Sequence, residues 1–144
     1  MRRNLIAIST VTAALLLAAC GEPVSDEHVI DEPATLTEIE NQAGEEVMRI
    51  GLTAKAADRL GIETVDVADD GKLSTVPLAA VFLDTEGTYW VYTNPEPLTY
   101  IREPIEVETE VSDLVFISKG PPVGTDVVTV GVPELWGTET GMDH

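Results

Sequence analysis

Residues 105–130 read IEVETEVSDLVFISKGPPVGTDVVTV, and the spacing of their apolar side chains decides the fold class. Ile105, Val107, Thr109 and Val111 alternate with Glu106, Glu108 and Glu110. A period of two belongs to a strand with one face buried and the other wet. Two shorter apolar runs follow, Leu114 to Ser118 and Val127 to Val130, joined by the Gly- and Pro-containing turn Lys119 to Asp126. Gly124 in that turn has the freedom to take a positive φ, which a β-branched residue enters only with strain. The acidic face of the first strand points to water or to a cationic partner, which makes Glu106, Glu108 and Glu110 candidate partner-binding residues.

Upstream the same language continues. Val76 to Leu83 and Thr88 to Thr93 flank Asp84-Thr85-Glu86-Gly87, a hairpin signal, and Asn94-Pro95-Glu96-Pro97 reads as a loop. Met48, Ile50 and Leu52 alternate as a half-buried strand. Thr53 then stands at an N-cap position, Ala56, Ala57 and Leu60 share one helical face, and Gly61 follows at C′. These signals predict a short helix over Ala54 to Leu60. Ile62 to Val67 returns to β-favouring residues before an Asp69-Asp70-Gly71 turn. The pattern predicts a mostly β, small barrel- or sandwich-like domain with one short helix, over residues 47–138, and a flexible tail at 139–144.

From Gly21 to Glu46 the chain has no Lys or Arg, while acids recur and Pro23 and Pro33 interrupt it. Self-repulsion and low hydrophobicity predict a disordered acidic tether over residues 20–46, spanning roughly 25–30 Å as a coil. Ahead of it, Arg2 and Arg3 precede the uncharged run Leu5 to Ala19, which ends at Leu17-Ala18-Ala19-Cys20. That layout is a secretory leader over residues 1–19, and it resembles a bacterial lipobox. Cys20 is the single cysteine and has no disulfide partner. The expectation is lipidation of Cys20 and an extracytoplasmic protein of the cell envelope, held on a membrane by its acyl chains.

The sequence carries 26 acidic and 8 basic residues, a formal charge of −18. Removing the leader takes away two cations and no acid. Nucleic acid is excluded as a partner, because its binding rests on phosphate neutralisation by Lys and Arg. Catalysis has little to stand on. His28 falls in the tether and His144 at the terminus, and no nucleophile elbow, phosphate-binding Gly-rich loop or Cys-x-x-Cys pair occurs. Glu106, Glu108 and Glu110 lie along one exposed face, without the environment that tunes a catalytic carboxyl. Met142, Asp143 and His144 carry metal-type donors in a terminal tail, and neither metal nor cofactor is expected. Trp136 reads first as a packing residue, and among the aromatics it is the best candidate for an anchor at a protein interface.

Two stretches carry a family resemblance. Residues 49–67, RIGLTAKAADRLGIETVDV, resemble the segment that precedes the β-barrel in periplasmic adaptor (membrane fusion) subunits of RND-type efflux pumps. Leu52, Thr53, Leu60, Gly61, Ile62 and Thr64 carry the likeness. Residues 76–136 resemble the membrane-proximal region of the same adaptors. They do so through Val76-Pro77-x-x-Ala80-Val81, Gly87 before Trp90-Val91-Tyr92, Arg102-x-Pro104-Ile105-x-Val107, and Gly124-Thr125-Asp126-Val127-Val128-Thr129-x-Gly131. In adaptors a lipoyl-like domain, a long helical hairpin and most of a barrel separate the two stretches. Here Asp69 to Thr75 joins them directly.

The resemblance implies an accessory or docking module of an RND-type transport system, with the transporter or a full-length adaptor as partner. The alternative is a stand-alone binding lipoprotein for a small ligand or a metal cation.

Overall fold

Val91-Tyr92 and Val127-Val128 are neighbouring pairs, all four fully buried, on two strands. Adjacent strand residues point to opposite faces, so this arrangement requires a core on each side of the sheet. The computed structural model describes residues 32–141 and has both cores. Tyr92 and Val128 join Ile50, Leu52, Tyr100, Val132 and Leu135 in one of them. Val91 and Val127 join Val67, Val76, Ile105, Val115 and Ile117 in the other. Residues 1–31 and 142–144, and with them the leader, Cys20, His28, Met142 and His144, lie outside the described residues.

The elements in chain order are β1 (Ala34–Glu40), β2 (Glu46–Leu52), α1 (Ala54–Leu60), β3 (Glu63–Asp66), β4 (Ala68–Asp69) and β5 (Ser74–Pro77). A 3-10 turn (Leu78–Ala80) leads to β6 (Phe82–Leu83), β7 (Tyr89–Glu96), β8 (Thr99–Val111), β9 (Leu114–Lys119), β10 (Asp126–Val130) and α2 (Val132–Thr140). All pairings are antiparallel, in the order β3-β10-β7-β8-β9-β5-β4, with β2 on β8, β1 on β2 and β6 on β7. The two ends of this order, β3 and β4, are consecutive pieces of chain separated by Val67 alone. Val67 is 1% exposed, and its N–H and C=O pair with Thr125 and Gly124. The sheet therefore curls into an almost closed barrel, as expected of a mostly β domain of this pattern.

β8 does most to connect the two cores. Near its start, Thr99 to Ile101 pair with β2, and the stretch as far as Ile105 pairs with β7. From Glu106 onward it pairs with β9, through register shifts at Glu106/Val107 and Val107/Thr109. Such bulges bend a strand and increase its twist, which carries β8 from one core past the other. The helix α1 has the predicted caps. Thr53 Oγ1 accepts from the Ala56 N–H at 3.2 Å, and Gly61 closes the helix in the left-handed region at φ 63°. Gly124 has the positive φ its turn requires, 85°.

Four expectations are corrected. Residues 34–46 are not spacer: β1 pairs with β2 from Ala34↔Leu52 to Glu40↔Glu46. Most of β1 is exposed, so the strand is held by its backbone ladder rather than by burial, and its exposed acids guard an open sheet edge. Residues 139 and 140 are not tail but the last turn of α2, so the domain has two short helices. Pro133 in the first turn suits a helix start, and Leu135 is fully buried. Asn94 to Glu96 belong to β7, where a register shift between Thr93 and Glu96 accommodates Pro95, as bulges do. The turn falls instead at Pro97-Leu98. Finally, only Phe82 and Leu83 form the hairpin with β7, whereas Val76 pairs with Val115 of β9.

Candidate functional site

Arg102 and Glu103 are adjacent on β8 and therefore point to opposite faces. The β1–β2 turn lies across them. Asn41 Nδ2–H donates to the Arg102 carbonyl at 3.1 Å, while its Oδ1 accepts from the N–H groups of Ala43 and Glu45. The turn is thus tied both to itself and to β8. It separates two clefts, each of which has Glu45 on its wall.

On the Arg102 side a polar cluster clamps α2 to the barrel. Arg102 Nε–H donates to Glu139 Oε1 at 2.8 Å, with the two side chains 18% and 4% exposed. The Met48 N–H reaches the same oxygen, and the Tyr92 hydroxyl donates to Glu139 Oε2. The guanidinium lies 4.2 Å from the Trp90 ring centroid and 5.3 Å from that of Trp136, close enough for cation–π attraction to both. Phe82 stacks on Tyr92 and meets Trp136 at 5.3 Å. Burial, reinforced by the negative charge of Glu139, pushes the Tyr92 hydroxyl far above its ordinary range, so it remains a donor. Trp90 Nε1–H in turn donates to Asp84 Oδ2 at 2.8 Å. The Thr88 N–H is the main cause, and Trp90 a lesser one, of an Asp84 pKa below the usual value.

On the Glu103 side lies a cleft of about 510 Å³, within the range of small-molecule sites. Ile105 and Pro121 supply apolar wall, and Glu103, Glu106, Glu45 and Lys119 supply charge. Glu103 is 4% exposed. Its Oε1 accepts from the Gln42 N–H at 3.0 Å. Burial raises its pKa, an effect opposed by the backbone N–H groups of Gln42 and Ala43. Lys119 is engaged elsewhere, 2.6 Å from Glu106 on the exposed rim, and that hydrogen bond raises its pKa.

The predicted partner residues are dispersed. Glu106 stands at the rim of the larger cleft, Glu108 and Glu110 are exposed on β8 and border neither cleft, and Trp136 is half-buried against Arg102 and Phe82. Sequence reasoning missed Glu103 and Glu139. For Glu103 a signal exists: Ile101, Glu103, Ile105 and Val107 form one period-two set, and an acid in an otherwise apolar set marks an inward charge. Glu139, in Gly137-Thr138-Glu139-Thr140, has no such mark. Among the described residues no group of three or more His, Cys, Asp and Glu side chains is placed to hold a metal, and no helix is long and apolar enough to cross a membrane. Comparison with protein-family models, curated proteins and solved structures finds no match.

Proposed function

We propose that this chain is a lipid-anchored envelope protein whose β domain serves as an accessory or docking module of an RND-type transport system. One observation carries the reading: the two adaptor-like stretches fold against each other. Residues 49–67 meet residues 76–136 at β2–β8, where Ile50 pairs with Tyr100, and at β3–β10, where Val65 pairs with Val127. Between the stretches, where adaptors place their long insertions, β4 returns as β5 through a tight turn. The Asp70 N–H donates to the Leu73 carbonyl at 3.1 Å, and Asp70 Oδ1 accepts from the Lys72 and Leu73 N–H groups. The module has the adaptor-like base without the bridging arm. In this role Cys20 holds it at the bilayer, and the exposed carboxylates of Glu108 and Glu110 offer a cationic partner surface complementary charge.

Mild cross-linking of the lipidated protein in its own membranes, followed by capture and mass spectrometry, tests the reading. Recovery of an RND-type transporter or a full-length adaptor supports it, and recovery of neither refutes it.

A further inference from the structure

We infer that the cleft beneath the β1–β2 turn binds a small organic cation, an ammonium or guanidinium carried on an apolar body, with Glu103 as its counter-charge. The inference goes beyond the docking role and does not depend on it. Glu103 is a carboxylate 4% exposed on the wall of a cleft of about 510 Å³, and among the described residues no cationic side chain forms an ion pair with it. Backbone N–H groups meet part of the cost of holding that carboxylate out of water, and a cation compensates it further. Lys119, the one cation on the cleft wall, is bound by Glu106 on the rim.

Glu103 is also held in place. The Gln42 N–H fixes one carboxylate oxygen at 3.0 Å, and Gln42 belongs to the turn that Asn41 anchors to β8. A positioned, desolvated carboxylate beside apolar wall fits a ligand with one cationic end and one apolar end. Ile105, Pro104, Pro121 and Pro122 supply that apolar wall. The Glu45 carboxylate on the same wall adds negative charge that rejects anions and favours a cation.

The test uses the full chain carrying Cys20→Ser, at pH 7, with 4-phenylbutylammonium as probe and 4-phenylbutanol as its neutral counterpart. The readout is the amide NMR signals of Gln42 and Ala43. The ammonium should shift them saturably and the alcohol should not. Glu103→Gln should weaken binding by about tenfold or more, as loss of one member of a desolvated charge pair does, while Asp58→Asn, on the exposed face of α1, leaves it unchanged. Thr88→Trp, at the cleft wall, should block the site even if Glu103→Gln disturbs the fold. Absence of saturable shifts, equal binding of the alcohol, or full affinity in both the Glu103→Gln and Thr88→Trp proteins would overturn the inference.

Discussion

The Arg102 guanidinium stands 2.8 Å from the Glu139 carboxylate, and this one pair joins the first third of β8 to the last turn of α2. The pair is nearly dry, flanked by Trp90 and Trp136 and capped by the Tyr92 hydroxyl. The final described helix is therefore held on the barrel by a polar bolt as well as by apolar packing.

Removing one half of a buried ion pair leaves the other half uncompensated, at a cost of about 3–5 kcal/mol. Arg102→Leu should show this as a large fall in the urea midpoint. Adding Glu139→Gln, which can still accept from Tyr92 and Met48, should restore much of the loss. If Arg102→Leu proves neutral by itself, the pair does not hold α2 on the barrel.

Gly124 has φ 85°, and a Cβ built there meets nothing within 4 Å. The Cβ itself clashes with nothing, so the main cost of Gly124→Val is backbone strain, about 1–3 kcal/mol. Glu108→Gln on the exposed face of β8 should change stability by no more than about 0.5 kcal/mol. Comparing the two urea midpoints checks both assignments, and a larger loss for Glu108→Gln would reverse them.

Burial raises the Glu103 pKa above its ordinary 4.5, so the folded chain holds this proton more tightly than the unfolded chain. Its contribution to stability is fully present below pH 4.5 and is lost as pH rises through the folded pKa. Glu103→Gln lacks that titration, while Glu45, Glu106 and Lys119 around it are common to both proteins. The stability of the native protein relative to Glu103→Gln should therefore fall as pH rises above 4.5. A flat or rising difference would mean that Glu103 is not desolvated.

A chain beginning at residue 47, the domain start that the sequence pattern suggests, would lose β1, the Asn41 anchor to β8 and the Gln42 bond to Glu103. It should unfold at lower urea than a chain beginning at residue 32. Equal midpoints would show that β1 adds nothing to the fold.

Local chemistry made much of this architecture legible. Thr53 and Gly61 bounded α1 through their own hydrogen bonding and backbone preference, and the Ile105 to Val111 alternation marked β8. What escaped was written in long-range pairing. β1 is acidic and mostly exposed, so neither hydrophobicity nor charge pattern reveals a strand that depends on its ladder to β2. Glu139 has meaning only once Arg102 and Tyr92 arrive from residues far away in sequence. Glu103 carries a mark that sequence reasoning passed over, an acid within an apolar period of two, and its role needs the turn from β1 to cover it. The structure places Trp136 half-buried on Arg102, on the wall of the trench it shares with Glu46 and Glu86.

The central claim is that the exposed acidic end of β8 meets a transport component at the membrane. Placing a photo-crosslinking amino acid at position 110 of the lipidated protein, irradiating intact membranes and sequencing the adducts tests it directly. The account predicts peptides from an RND-type transporter or a full-length adaptor, lost when Cys20→Ser releases the protein from the bilayer. Adducts confined to solvent or to unrelated envelope proteins, unchanged by Cys20→Ser, would contradict it.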